Sequence, residues 1–398
     1  MSSAIREDIA NPAEALLPEV LAFRKRFPIF KDKVHLANNA MGAVCDVMEQ
    51  AHRDYLDDRI NLGASWEVAI PKHEELRASF ADFIGAKQNE IAIAYAATQA
   101  LGTLTTCFDW KDKSSVVVDD FSFPSVAQLW HAQAQRGAKV RRVAEDENGL
   151  ILPEYFDEHL DGDVKLASVA QVCYKNGHLL DVAEVGKRVH DAGALYVVDS
   201  YQGCGSREIN VRDLDIDIMV AGTVKYMLGS PGVGFMYVKE ELLDQLHPSV
   251  TGWFGQATPG AMYIDKHEEA PDAVKFQSGT PALSPVYDSL AGLELLKSIG
   301  IGKIETWINF MTARVMERLL EEGYVPATPT DPKYRSAQVA IKAKDGDAAV
   351  RELASKGITS TTRDNNVRTA WHFYNTPDDI EVLITTLNDI RHLMLTAD

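Results

Sequence analysis

Short apolar runs alternate with amphipathic stretches along the chain from about residue 70. The runs are nearly continuous in apolar residues, which is typical of strands buried on both faces of a parallel sheet. The stretches between them carry apolar residues at helical spacing. Strands that alternate with helices predict an α/β sheet with helices on both faces. The runs are EIAIAYA, SSVVVDD, LASVAQVCY, ALYVVDS, DIDIMVAG and GVGFMYVK.

One connection between predicted strands can be followed residue by residue. Asp181 is suited to cap a helix from about Val182 to Ala192, and Gly193 is suited to end it. Three valines along this helix fall on one face. The strand ALYVVDS follows at once, so the segment predicts a βαβ unit.

The pattern changes after about residue 285, where two long helices precede a mixture of short strands and helices. A chain of 398 residues is also too long for a single hydrophobic core. We therefore expect a large domain over 36–284. A small α+β domain would comprise the N-terminal arm, 1–35, and the C-terminal part, 285–398.

Charge and hydropathy restrict the classes of partner. The 40 basic and 58 acidic residues give a formal net charge of −18, which argues against a nucleic-acid or anionic-membrane partner. No apolar run approaches the ~20 residues that span a bilayer. The N-terminus lacks the basic start and apolar stretch of a signal peptide, so the sequence predicts a cytoplasmic protein.

The cysteines show no C-x-x-C spacing, so neither a zinc site nor a redox pair is indicated and no metal is expected. We expect buried free thiols in a reducing compartment. The four positions are Cys45, Cys107, Cys173 and Cys204.

A lysine and an aspartate follow two of the predicted strands. Asp199 ends ALYVVDS, and Lys225 comes just after DIDIMVAG, so both can face the crevice where ligands bind in open α/β sheets. The pair suits pyridoxal phosphate (PLP): the lysine forms a Schiff base with the aldehyde, and the aspartate keeps the pyridine nitrogen protonated. Strand-end aspartates also cap helices and most lysines are solvated, so the two residues alone leave a structural role open.

The stretch VVDSYQGCGSREINVRDLDIDIMVAGTVKYMLGSPGVGFMYV (197–238) resembles the cofactor signature of the class V aminotransferase family. That family includes cysteine desulfurases, kynureninases and small C–S lyases. The resemblance extends more weakly from about residue 33 to the C-terminus. It implies fold type I of the PLP enzymes, with a large domain built on a mainly parallel sheet of the seven-stranded type.

The resemblance implies cofactor-binding roles. Asp199 would pair with the pyridine nitrogen, Gln202 would hydrogen-bond the phenolic oxygen, and Lys225 would carry the Schiff base. Thr98 and Gln99, in YAATQALGTL, match the turn that cradles the phosphate, where a helix start would offer free N–H groups. Thr98 could equally be a plain helix cap.

Further matches concern the ring, the phosphate and the partner subunit. Phe123, in FSFPSV, would stack on the cofactor ring, although a core phenylalanine is the alternative. Thr223 could donate to the phosphate. The Gly279–Thr280 pair, in FQSGTPALSP, would reach the phosphate of a neighbouring subunit, which implies a homodimer with shared active sites.

The remaining matches concern the substrate. Arg368, in VRTAWHFYNT, would clamp the α-carboxylate with two hydrogen bonds. Asn38 and Asn39, in HLANNAMG, match the turn lining the substrate pocket. Trp253, in TGWFGQATPG, would form an apolar or aromatic wall if that loop lines the pocket; loop packing is the alternative.

Two departures from the family pattern narrow the reaction. The loop STTRDNN before Arg368 has no cysteine, and none follows Cys204, so desulfuration through a persulfide is not expected. Val126 stands where kynureninases have an acid, and Gln202 stands where they have a histidine, so kynurenine hydrolysis is not favoured. We therefore expect a lyase that eliminates or hydrolyses at Cβ of an L-amino acid.

Other functions stay open. A class V aminotransferase using an amino acid and a keto acid is the first alternative, followed by a kynureninase-type hydrolase and an epimerase. A binding protein that kept the fold would not need both Lys225 and Asp199. A dinucleotide-binding enzyme is disfavoured because GSPGVG precedes a strand instead of opening a helix.

Overall fold

The computed structural model describes residues 12–397. Its helices are α1 (Leu17–Arg24), α2 (Asp46–Leu62), α3 (Trp66–Phe83), α4 (Ala97–Thr105), α5 (Pro124–Ala132), α6 (Val182–Asp191), α7 (Leu283–Ile299), α8 (Ile301–Glu321), α9 (Gly346–Ser355) and α10 (Pro377–Asp389). Its strands are β1 (Val34–His35), β2 (Ile91–Ala94), β3 (Ser115–Asp119), β4 (Lys139–Val143), β5 (Val164–Ala170), β6 (Leu195–Asp199), β7 (Ile218–Gly222), β8 (Gly234–Val238), β9 (Gln338–Lys342), β10 (Ile358–Thr359), β11 (Thr361–Arg363) and β12 (Asn366–Ala370).

The central sheet of the described chain has seven strands in the order β2-β8-β7-β6-β5-β3-β4. The pairs from β7 to β4 are parallel, whereas β8 runs antiparallel to both β7 and β2. The glycine-rich segment 223–233 joins β7 to β8 without an intervening helix. Antiparallel neighbouring strands can be connected in this way, whereas parallel strands need a longer crossover connection. The predicted α/β class with a mainly parallel seven-stranded sheet is confirmed.

Both faces of this sheet are buried, as the apolar runs predict. In β3, Val117 belongs to one core cluster while its neighbours Val116 and Val118 belong to another, on the opposite face. The crossover into β6 also follows its prediction. The Asp181 side chain accepts a hydrogen bond from the Glu184 N–H at the start of α6.

The C-terminal part holds a three-stranded antiparallel sheet, β11-β12-β9, and β1 pairs in parallel with β10. The N-terminal arm packs against this part. The Arg24 guanidinium makes an ion pair of 2.8 Å with Asp379, and the Phe27 ring lies 4.7 Å from the ring of Tyr374. The domain boundaries at residues 36 and 284 remain a prediction.

No helix within 12–397 combines the length and the apolar character that crossing a membrane requires.

Candidate active site

A cavity of about 260 Å³ opens at the carboxyl ends of β3, β5 and β6, next to the start of α4. Parallel strands bring these ends to one edge of the sheet, which is where open α/β sheets bind ligands. Residues from separate segments of the sequence meet there. They are Ala96, Ala97, Thr98, Phe121, Phe123, Val126, Ala170, Val172, Tyr174, Asp199, Tyr201, Gln202 and Lys225.

Lys225 and Asp199 both line this cavity, since β6 and β7 are adjacent and parallel. Burial lowers the pKa of the Lys225 amine to about 8; Asp199 opposes the shift, and the positive charges of Arg368 and Arg363 add to it. Burial raises the pKa of Asp199, although the hydrogen bond from the Tyr201 N–H and the charge of Lys225 lower it in part. Each group is thus poorly solvated.

The residues at the cavity fit PLP. Asp199 Oδ1 accepts the Tyr201 N–H at 2.9 Å, while Oδ2 has no hydrogen-bond partner among the described residues and is open to a pyridine N–H. At the start of α4, no described residue accepts from the N–H groups of Ala97 and Thr98, so they suit a phosphate. The half-exposed Phe123 ring has its centroid 5.8 Å from Lys225 Nζ and can cover a planar ring.

Arg368 is buried beside this cavity, in β12. Its Nη1 donates to the Tyr174 carbonyl at 2.5 Å, and its Nε has no partner among the described residues. Burial lowers its pKa to about 10, with Arg363 as a further cause. A buried guanidinium with unused donors, and with no carboxylate partner within 12–397, is suited to bind an anionic group.

The two predicted asparagines are brought close to the site, but other residues occupy their side chains. Asn38 donates to the Ala370 carbonyl and accepts from the Tyr374 hydroxyl. Asn39 donates to Gln338 and accepts from Thr361. Both side chains are buried and hold the N-terminal turn, and their role toward a substrate stays a prediction.

Gln202 lines the cavity, and a hydrogen bond to the backbone of the N-terminal turn anchors its side chain. Its Nε2 donates to the Asn39 carbonyl at 3.1 Å, and its Oε1 is buried without a partner among the described residues. The amide retains a second N–H, which leaves it able to donate to an oxygen in the cavity.

Other predicted residues lie further from the cavity, near a second depression or a packed loop. The Gln99 side chain accepts a hydrogen bond from the Tyr95 N–H and donates one to Ser278 Oγ. It lines a neighbouring depression together with Gly279. Thr280 is exposed beyond that depression. The Trp253 ring packs on Trp66 and Phe254, outside the cavity.

Thr223 is also turned away. Its Oγ1 donates to the Ser230 carbonyl and accepts from Ser289, and the residue is 1% exposed. The hydroxyl therefore fixes the turn after β7, and the expectation that it could donate to a phosphate is not supported by its position.

Two tyrosines in the cavity were not foreseen from the sequence. Tyr201 stands between Asp199 and Gln202, with its ring centroid 4.7 Å from Lys225 Nζ. The Tyr174 ring meets the Phe123 ring edge-on at 5.2 Å. The sequence could have indicated Tyr201, because a residue two positions after an aspartate that ends a strand lies at the same edge of the sheet.

Comparison with known proteins agrees with this geometry. Residues 39–383 match the family model described as aminotransferase class-V. An uncharacterized aminotransferase of Bacillus subtilis is 32% identical over 92% of this chain and 95% of its own length. A probable cysteine desulfurase of Methanothermobacter thermautotrophicus is 25% identical over 92% and 97%. The solved apo structure of a cysteine desulfurase from Thermococcus onnurineus superposes with a TM-score of 0.84 at 24% identity, covering 94% of this chain and 98% of that one.

Proposed function

This chain belongs to the aminotransferase class-V family of PLP-dependent enzymes, and we propose that it is a lyase that eliminates or hydrolyses at Cβ of an L-amino acid. The observation that carries the proposal is the combination of one lysine, one aspartate and one buried arginine around an apolar cavity that no described cysteine lines. When bound, PLP supplies an electron-accepting ring that stabilises negative charge at Cα of the amino acid.

Each side chain has a distinct task in this proposal. Arg368 binds the α-carboxylate through its unused donors, and this fixes the amino acid relative to Lys225. Lys225 removes the proton from Cα, and its lowered pKa leaves more of the amine in the neutral form that can accept a proton at neutral pH. Asp199 accepts the pyridine N–H and keeps that nitrogen protonated.

Cysteine chemistry of the persulfide type is disfavoured by the position of the thiols. Cys45, Cys173 and Cys204 are buried, and none of the four cysteines lines the cavity of the described chain. Burial raises the pKa of the half-buried Cys107 to about 12, so it is protonated at neutral pH. A relative named as a cysteine desulfurase therefore does not carry that activity over to this chain.

Amino-transfer is the second candidate, because the relative at 32% identity is named an aminotransferase. The two reactions differ in what becomes of the amino group. A lyase turns over without a second substrate: elimination releases ammonia, and hydrolysis at Cβ releases an amino acid. An aminotransferase instead retains the nitrogen until a keto acid accepts it.

We also propose a homodimer with shared active sites. Gly279 and Thr280 are exposed next to the depression lined by Gln99, where they could contact a partner's phosphate site. Exposed apolar side chains that such an interface could cover include Ile60, Leu62, Trp66, Tyr95, Met262 and Ile264. A cytoplasmic location is proposed with it, since the unpaired thiols would remain reduced there.

The test is a product assay with purified enzyme and a panel of L-amino acids that carry a leaving group at Cβ. Without an added acceptor, elimination is expected to give ammonia and a keto acid, hydrolysis at Cβ is expected to give an amino acid shortened at Cβ, and Lys225→Ala is expected to abolish either product. Nitrogen transfer only after a keto acid is added would instead establish the aminotransferase. Alanine formed from kynurenine would indicate the hydrolase, and solvent deuterium at Cα with loss of chirality would indicate an epimerase.

A further inference from the structure

Tyr201 is a cavity residue with an unused hydroxyl. Its backbone N–H bonds Asp199, but no described residue forms a hydrogen bond with its Oη. Burial raises the pKa of this phenol to about 12, with the Asp199 charge as a further cause, so the group is protonated at neutral pH and can donate. A protonated donor inside a cavity, without an acceptor from the described protein, is suited to an acceptor on a ligand.

The Tyr201 hydroxyl lies against Gly222, the last residue of β7. A Cβ built at Gly222 would overlap Cε2, Cζ and Oη of Tyr201. The phenol end of Tyr201 therefore fills the space that a side chain at position 222 would occupy. The backbone of Gly222 does not adopt a positive φ, so its conformation does not require a glycine. The absence of a side chain matters there because it makes room for the Tyr201 ring.

That space adjoins the start of α4. Gly222 is paired with Gly234 in β8, and a Cβ at Gly234 would lie 2.6 Å from Ala96 C and Ala97 N. The backbone at the start of α4 thus packs directly on the strand next to the Tyr201 phenol. The hydroxyl and the free N–H groups of α4 belong to the same end of the cavity.

We propose that the Tyr201 hydroxyl donates a hydrogen bond to the phosphate of PLP, in the space left by Gly222. The inference rests on the proposed PLP site and deepens it. A phosphate dianion has more acceptor sites than the two free N–H groups of α4 can satisfy. Thr223 cannot supply the missing donor because its Oγ1 is engaged with Ser230 and Ser289. Among the described residues, Tyr201 and Thr98 supply the hydroxyl groups at this end of the cavity.

The experiment compares two ligands that differ only in the phosphate. Binding of PLP and of pyridoxal to the apo-protein is measured by tryptophan fluorescence for the wild type and Tyr201→Phe. A hydrogen bond to a charged group contributes about 1.5–3 kcal/mol, so the substitution should weaken PLP binding by roughly 10- to 150-fold. Pyridoxal binding should change little. Phosphorus NMR of bound PLP should show a shifted resonance in the variant.

Two further variants separate a hydrogen bond from a packing effect. Tyr174→Phe removes a hydroxyl from the same cavity, beside Phe123, and should leave the ratio of PLP to pyridoxal affinity unchanged. Tyr201→Ala combined with Gly222→Ser places a hydroxyl one bond beyond the new Cβ, close to where Oη stood. This double variant should bind PLP more tightly than Tyr201→Ala alone.

The outcomes are distinguishable. Equal weakening of both ligands by Tyr201→Phe, or no weakening of either, would overturn the role of Tyr201 while leaving the PLP site intact. A wild-type protein that binds neither ligand would overturn the proposed function, and this inference with it.

Discussion

The clearest electrostatic consequence of the structure concerns the amine of Lys225. Its pKa is lowered from 10.5 to about 8, first by burial and then by Arg368 and Arg363. At pH 7 an amine of pKa 8 is about 10% neutral, whereas an ordinary lysine is about 0.03% neutral, a ratio of about 300. The shift corresponds to about 3 kcal/mol, and only the neutral amine reacts as a nucleophile.

Competitive labelling of the apo-protein measures this pKa directly. Trace acetic anhydride is added between pH 6 and 11, and mass spectrometry quantifies acetylation of each lysine peptide. The labelling of Lys225 should rise with a midpoint near pH 8. Lys239 is an internal control, because its hydrogen bond with Asp215 raises its pKa above the ordinary value.

Two variants test the cause of the shift. Arg368→Met removes a positive charge and should move the Lys225 midpoint to higher pH. Asp199→Asn removes the charge that opposes the shift and should move it to lower pH. A wild-type midpoint at or above 10, or a midpoint that neither variant moves, would refute the electrostatic reasoning.

The remaining predictions concern the substrate, the lysine loop and acid stability. Arg368→Lys should raise KM for amino acids by roughly 10- to 100-fold with a smaller effect on kcat, because a forked donor to the carboxylate is lost; steady-state kinetics checks this. Gly42→Ala should weaken PLP binding in a fluorescence titration, because a Cβ there would overlap the carbonyl of Lys225, whereas Gly260→Ala, in open space, should not. Burial lowers the pKa of His178 and of His372 to about 4, so the unfolded chain takes up their protons first as pH falls below about 6.5. Urea unfolding should therefore show a loss of about 2 kcal/mol per histidine between pH 7 and pH 5, and His178→Phe should reduce that loss.

Much of the fold follows from local patterns. The apolar runs predicted six of the seven strands of the central sheet, and the cap at Asp181 predicted the start of α6. The edge strand β4 was missed because its sequence KVRRV is largely polar and only partly buried. The reversal of β8 was not predicted, since periodicity records burial and not direction. Pairing depends on the turn between β7 and β8, which places Gly234 opposite Gly222.

The site was predictable to the extent that it is local in sequence. Asp199 ends one strand and Lys225 follows the next, and adjacent parallel strands must bring them to one edge. The roles expected of Thr223 and Asn39 depend on where the hydroxyl and the amide point. Those directions are set by Ser289 and Gln338, which are distant in sequence, so no short motif could have indicated them.

The central claim is that Lys225 bonds PLP in this cavity, and the absorbance spectrum of the purified protein with PLP tests it most directly. We expect a band at roughly 410–430 nm that Lys225→Ala abolishes or alters and that Lys239→Ala, at a lysine outside the cavity, leaves unchanged. A wild-type protein that shows no such band after PLP is added, or a Lys225→Ala protein that shows the wild-type band, would contradict it.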